Sequence, residues 1–300
     1  VKKSSNWKLE APLPTIADGL VHRAKIAPET AKVEGKVTFD AGRATGSVHT
    51  GDGFVDLGVV GDFERAQAFS YGGWVKPDKG EGTPFGRMDS NSAYRGWEAS
   101  IFQGRPQTHV ISNWPENALK VASKTAIPNG KWSHLFVTYD GSSKSAGLKI
   151  FIDGKPVEVA VERDALSASI KTGVSTKIGR RTNSEFFFGS VDDFAIYSRA
   201  LKPEEIAHLA SAHPAVALLT IPLDKRTAEQ NQEIVRLWSL DHDKDFKAWA
   251  GARSKAAIDK DALEASIPTV MVMEEMAKPR DAFVLIRGLY DKPGDKVEAG

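Results

Sequence analysis

The sequence predicts a mainly β protein: an antiparallel β-sandwich of jelly-roll type with a helical appendage at its C-terminal end. Three observations carry this. Short runs of alternating apolar and polar residues recur from Gly35 to Tyr197, at the spacing of about 8 to 12 residues expected of a sandwich. Gly, Asp, Asn and Pro stand between the runs, where turns are needed. After Ala212 the alternation stops and helical periodicity takes over.

Taken in order, residues 1–34 read as an irregular segment. Pro12, Pro14 and Pro28 discourage regular structure, with Trp7 or Leu9 as an anchor. The sandwich is expected over 35–212. Lys36 to Asp40 opens it, and Thr50-Gly-Asp-Gly53 reads as a hairpin turn between Ser47–His49 and Phe54–Leu57. Phe69 to Val75 alternates, with Phe69, Tyr71 and Gly73 on one face and Trp74 on the other. Phe85–Met88, Trp97–Phe102, Thr108–Ile111 and Leu119–Ala122 are further strands. Trp132–Tyr139 is the strongest, followed by Leu148–Ile152 and a tight turn at Asp153-Gly154. Thr176–Gly179 and Phe187–Tyr197 complete the sheets, and Pro203, Glu204 and Glu205 begin a short helix. Residues 213–300 are expected to hold two helices, Ala228–Leu240 and one entered at Asp243. Two short strands, Thr269–Met273 and Ala282–Ile286, follow as part of a further domain.

Composition narrows the function. Hydrophobic residues make up 41% of 300, enough for a sizeable core. Lys and Arg number 40 against 39 Asp and Glu. That balance removes the basic excess a nucleic-acid binder would show. No apolar run approaches the roughly 20 residues of a membrane span. There is no cysteine. Disulfides, thiolate zinc sites, iron–sulfur clusters and covalently attached haem are thus excluded within this chain. The chain opens at Val1 with no signal-like segment, as expected of a processed or excised piece.

Several stretches resemble a known superfamily. Gly61-Asp-Phe-Glu-Arg-Ala-Gln-Ala-Phe-Ser-Tyr-Gly-Gly-Trp-Val-Lys-Pro77, Ala93-Tyr-Arg-Gly96, Asn113-Trp-Pro-Glu-Asn-Ala-Leu-Lys-Val121 and Ile178-Gly-Arg-Arg181 are similar to laminin-G-like (concanavalin A-like) jelly rolls. They look most like the domain inside large secreted planctomycete-type proteins, which sits between uncharacterised domains, often downstream of a cytochrome-c-like module. Ile267–Glu274 and Val284–Gly294 resemble the start of the next domain there. The resemblance implies an extracytoplasmic module that binds a glycan or another surface ligand.

Candidate residues follow. Arg87, Asp89, Tyr94, Arg95, His109, Trp114 and Asn117 combine forked donors, acceptors and flat rings between residues 85 and 120, with Arg180 as a further contributor. Sugars suit that mixture, since hydroxyls take paired hydrogen bonds and the apolar ring face stacks on an aromatic; Arg also suits sulfate or uronate. The competing reading is loop and edge residues that hold the sandwich together. Asp192 is expected on the face of Phe194 and Ile196, where a carboxylate must be paired or metal-bound. The resemblance implies a structural calcium ion there, and Asp40 and the Asp52 turn are candidate further donors in this sequence; the alternative is a hydrogen-bonded or salt-bridged Asp192. Glu158, Glu162 and Asp164 could form the carboxylate pair of a glycosidase, but they read better as a solvated edge strand. Asp241-His-Asp-Lys-Asp245 reads as helix capping rather than a metal site. No nucleophile elbow or phosphate-binding glycine loop occurs. The expected function is a non-catalytic polysaccharide-binding module. A structural module docking neighbouring domains is the alternative, and a glycan-active enzyme a distant third.

Overall fold

The structure, a computed structural model, describes Trp7 and residues 13–24, 26–28, 31–267, 281–288 and 291–297. Sixteen strands build the sandwich: β1 (Leu20–Arg23), β2 (Lys32–Glu34), β3 (Val37–Ala41), β4 (Gly46–Thr50), β5 (Phe54–Asp56), β6 (Phe69–Pro77), β7 (Gly82–Asp89), β8 (Arg95–Phe102), β9 (Arg105–Asn113), β10 (Asn117–Ser123), β11 (Ser133–Tyr139), β12 (Leu148–Ile152), β13 (Lys155–Pro156), β14 (Val159–Ala165), β15 (Lys177–Ile178) and β16 (Gly189–Tyr197). The first sheet runs β13-β12-β11-β6-β16-β4-β3, with β1 also on β16. The second runs β14-β10-β9-β8-β7-β15-β5-β2. The segment expected to be irregular therefore supplies β1 and β2, each an addition to a sheet built mainly by later strands.

Alternation places the core between the sheets. Phe69, Tyr71 and Val75 of β6 meet Phe85, Trp97 and Val110 of the second sheet, all buried. Tyr71 lies 4.4 Å from the Trp97 ring, and its hydroxyl bonds Thr108 Oγ1 at 2.8 Å. Trp97 Nε1 donates to the Gly61 carbonyl at 2.8 Å. Both polar atoms of these rings are thus satisfied inside the core, as burial requires. On the outer face of the first sheet, Phe136, Phe151 and Tyr197 pack with Leu201, Ile206 and Leu209, which brings helix α1 (Pro203–Leu209) onto that face.

The turn at Asp153-Gly154 forms as expected, with φ of 50° and 78° joining β12 to β13. Two other expectations change. Thr50 to Gly53 is not a hairpin turn: β4 and β5 belong to different sheets, so the chain crosses the edge of the sandwich there. The connection from β2 to β3 makes the reverse crossing beside it. A Cβ on Gly35 would lie 2.7 Å from the Asp52 carbonyl oxygen, and one on Gly53 2.7 Å from that of Lys36. The glycines let the two crossings stack, and glycine with aspartate signals a bend without saying which strands it joins.

Asp192 is also corrected. The register of β16 against β6 shifts between Asp192 and Ala195, and Asp193 takes a φ of 53°. This bulge inverts the alternation. Asp192 stands opposite Trp74 and Ser47, while Phe194 and Ile196 face the core. Gly73 permits it, since a Cβ there would lie 2.8 Å from the Asp192 carbonyl oxygen. The buried Asp192 carboxylate accepts from Ala44 N at 2.6 Å, from Thr45 N at 3.0 Å and from the Thr45 hydroxyl. It pins the loop between β3 and β4. Asp193 forms its own pair, with Arg23 Nε at 2.5 Å and Nη2 at 2.7 Å.

Beyond the sandwich come α2 (Val216–Thr220), α3 (Ala228–His242) and α4 (Lys244–Ser266). Thr227 caps α3 by accepting from Gln230 N, while Gln230 Oε1 accepts from Thr227 N. The chain divides into two compact units, 1–243 and 244–300. Within the second, Ala282–Leu285 pairs with Pro293–Val297. The expected strand Thr269–Met273 lies outside the described residues. No helix among the described residues is long and apolar enough to cross a membrane.

Replacing Asp192 by alanine strands buried amide donors. Asp192→Ala is expected to cost about 2–3 kcal/mol, against under about 0.5 kcal/mol for exposed Asp40→Ala, measured by urea unfolding. Equal losses in the two variants would contradict the pinning role.

Candidate ligand-binding site

The outward face of the second sheet carries an unusual row. Lys120 of β10, His109 of β9, Glu98 of β8 and Gly86 of β7 stand side by side, because alternation turns Leu119, Val110, Trp97 and Phe85 inward. Gly86 makes room: a Cβ there would lie 2.5 Å from Glu98 Cβ. Glu98 is 0% exposed. Its carboxylate accepts from Arg181 Nε at 2.7 Å and from Nη2 at 2.5 Å, a forked charge-assisted pair. His109 Nδ1 lies 3.3 Å from Glu98 Oε1 and has no other partner among the described residues. Burial by itself would raise the Glu98 carboxyl. The charge and hydrogen bonds of Arg181, helped by His109, outweigh it and hold the group at about 2.

Arg181 reaches the sheet from the loop after β15. Its backbone N donates to the Ser184 carbonyl at 3.0 Å, and the Thr182 hydroxyl donates to the Met88 carbonyl, which ties the loop to β7. The guanidinium lies over the Tyr94 ring at 5.2 Å. Ala93 and Tyr94 both adopt left-handed backbone, with φ of 50° and 59°. That conformation costs about 1–2 kcal/mol per residue and sets the ring beside Arg181. The Ala93 carbonyl accepts from Trp114 N at 2.9 Å, so the β7–β8 and β9–β10 turns are joined. Trp114 meets His109 edge-on at 5.8 Å. The result is a pocket of about 230 Å³ lined by Met88, Tyr94, His109, Ile111, Trp114 and Arg181. Lys120 Nζ and the Arg163 guanidinium flank Trp114 at 5.8 and 5.4 Å.

Three of the eight expected ligand residues meet here: Tyr94, His109 and Trp114. The others have different tasks. Arg87 faces inward, bonding the Thr172 carbonyl at 2.5 Å and Asp62 at 3.3 Å. Asp89 accepts from Asn91 N in its own turn, and Arg95 donates to the Ser112 carbonyl. Asn117 holds Ser167 and Ala168. Arg180 packs on Phe54 and Phe186, at 5.0 and 4.5 Å. Arg181 and Glu98 escaped sequence reading. Glu98 had a signal, as the charged residue on the strand bearing inward Trp97, Ala99 and Ile101.

Calcium takes six to eight oxygen ligands. Asp192 meets amide N–H groups and a hydroxyl instead, and Asp40 is an exposed residue whose strand neighbour Ser47 separates it from Asp192. These residues do not fit a calcium shell. No group of three His, Asp or Glu among the described residues could hold a metal. Glu158 and Glu162 are exposed and paired with Lys124 and Lys120, at 2.5 and 2.9 Å, while Asp164 accepts from Ser145 N. They line no cleft. Asp241 pairs with His213 at 3.1 Å.

A family model described as the concanavalin A-like lectin/glucanases superfamily, of laminin G type, matches residues 49–207. The chain belongs to this superfamily. Its members include the laminin G-type modules that the sandwich resembles. The pentraxin-related protein PTX3 of Mus musculus is 29% identical over 120 residues, covering 37% of this chain. The chain spans 30% of the length of that relative. Among solved structures, the binding domain of Paraclostridial Mosquitocidal Protein 1 is 17% identical, with a TM-score of 0.49 over 64% of this chain and 52% of that one. Domain 4 of AbnA, an extracellular arabinanase of Geobacillus stearothermophilus in complex with arabinotriose, is 20% identical, with a TM-score of 0.40 over 60% and 88%. The superfamily assignment rests on the sequence match.

The Glu98–Arg181 pair has a pH signature. The carboxyl falls from an ordinary 4.5 to about 2 on folding. Its contribution is therefore fully present above pH 4.5 and lost as pH falls toward 2. The stability gap between wild type and Glu98→Gln should shrink across that window. Glu205, held at about 2 by Arg199, titrates in both proteins and cancels. Arg181→Met should cost about 3–5 kcal/mol at neutral pH by leaving the carboxylate unpaired. A gap unchanged between pH 4.5 and 2 would contradict this.

Proposed function

We propose that this domain is a non-catalytic carbohydrate-binding module of an extracytoplasmic, multidomain protein, with the Tyr94–Trp114 pocket as its saccharide site. The observation that carries the reading is the pocket's composition. Two flat rings flank an apolar floor of Met88 and Ile111, and an arginine locked by a buried glutamate presents donors at the side. Ligand sites are typically apolar concavities with a few fixed polar groups, and here the polar groups are oriented before any ligand arrives. The superfamily match supports the reading, since lectins belong to it. Non-catalytic action is supported by the fate of the carboxylates: Glu98 is fully engaged, while Glu158 and Glu162 stand exposed on an edge strand. Glycoside hydrolysis needs two carboxyls about 5 to 10 Å apart across one bond.

Calorimetric titration against neutral, amino-sugar, uronate-rich and sulfated polysaccharides tests this. At least one should bind, and Trp114→Ala and Tyr94→Ala should each weaken binding about tenfold or more in protein shown to be folded at the titration temperature. A folded protein that binds none of them would overturn the proposal.

A further inference from the structure

The saccharide reading leaves the sugar class open, and the pocket's inventory narrows it. Consider charge first. Arg181 would ordinarily suggest an anionic ligand. Here its Nε and Nη2 are taken by Glu98, and Nη1 pairs with Glu185 at 3.9 Å. Lys120 is paired with Glu162 at 2.9 Å. Of these three cations, Arg163 is the one with no ion pair among the described residues, and it is an exposed rim residue, where solvent screening leaves little attraction. The pocket is close to neutral, and an anion entering it would have to share cations already engaged.

The floor is the second observation. Met88 and Ile111 are 2% exposed and Ala118 0%, with Trp114 packed against them. This cluster is separate from the main core and lies on the outward face of the sheet, where polar residues such as Lys120 and Glu98 are the neighbours. An apolar cluster at the base of an open pocket suits an apolar substituent on the ligand.

Donors and acceptors are the third. The Trp114 indole and the remaining Arg181 nitrogen can only donate. The Tyr94 hydroxyl can do either, and with Nδ1–H turned to Glu98 the second nitrogen of a neutral His109 accepts. No carboxylate or amide side chain lines the pocket: nearby, Glu98 is bonded to Arg181, Asn117 to Ser167 and Ala168, and one Asp89 oxygen to Asn91 N. A pair of ligand hydroxyls needs acceptors as well as donors, whereas a carbonyl oxygen needs donors alone. At about 230 Å³ the pocket is smaller than the roughly 300 Å³ lower bound of common ligand clefts, so it encloses one residue with its substituent.

We infer that the pocket selects an uncharged N-acetylated sugar, its methyl on Met88 and Ile111 and its carbonyl oxygen facing the Arg181 and Trp114 donors. This rests on the saccharide reading above and deepens it. The direct test compares matched ligands by calorimetry or ligand-observed NMR. The pairs are N-acetylglucosamine, N-acetylgalactosamine and N-acetylmannosamine against glucose, galactose and mannose, and chitotetraose against cellotetraose. Fucose and rhamnose supply a methyl without the carbonyl; glucuronate and sulfated glucose supply charge. At least one N-acetylated ligand should bind about tenfold or more tighter than its hydroxyl parent, the span one buried methyl provides, with little dependence on salt. Met88→Gln should bring that ratio toward one. Parent or deoxy sugars binding equally well would overturn the N-acetyl inference and leave the saccharide site standing. So would preferred, salt-sensitive binding of glucuronate or sulfated glucose. Failure of every sugar and polysaccharide would overturn both.

Discussion

The Glu98 carboxylate stands without exposed surface on a sheet face that would otherwise be wet, and the pocket on this face follows from how its charge is met. A lone buried carboxylate would be untenable. Arg181 meets it with two parallel hydrogen bonds, and to do so the loop after β15 must lie across β7 and β8. Thr182 fastens that loop to the Met88 carbonyl, and the guanidinium then forms a surface for Tyr94. Tyr94 sits in a left-handed turn whose neighbouring carbonyl holds Trp114. One ion pair thus sets the walls of the pocket, and the glycine at position 86 creates the space in which the pair forms.

The pair also uses up its own charge. An arginine in a pocket invites an anionic ligand in a reading by residue type. Bonded to a carboxylate, it is a rigid donor of fixed direction and little net field. Its value then lies in preorganisation, which lowers the ordering cost of binding. The strain accepted at Ala93 and Tyr94 belongs to the same economy: a turn held in a sparsely populated conformation is tolerated because the joined turns and the Arg181 contact determine it from several sides.

Much of the fold could be read from alternation. The strands holding Phe69, Trp97, Val110, Leu119 and Leu135 follow it, and so does the Asp153-Gly154 turn. What escaped reading shares a physical cause, long-range context. Nothing local in Thr50 to Gly53 says that its flanking strands lie in different sheets. The bulge at Asp193 changes the phase of a strand by one residue, so Asp192 moved from the core face to the side of Trp74. Of the candidate ligand residues, Tyr94, His109 and Trp114 line one pocket, and aromatic rings in turns and strands are legible in a sequence. Sequence reading names Arg180 and not Arg181, since a loop gives no parity rule and one residue decides between Phe54 and Glu98 as the partner. Asp89, Arg95 and Asn117 have the right chemistry, yet each is spent on a turn or a neighbouring loop.

In the proposed function the ligand face is the outward side of the second sheet, opposite the face that buries Trp97, with the Glu98–Arg181 pair as its organiser. The most direct measurement is a residue-resolved NMR titration of the folded domain with a bound saccharide. Shifts are predicted to concentrate on the Trp114 indole, Tyr94, Ile111, His109 and the Arg181 side chain, and to vanish from these groups in Arg181→Met even where that variant remains folded. Shifts confined to the outer face of the first sheet, around Trp74 and His134, would contradict the account.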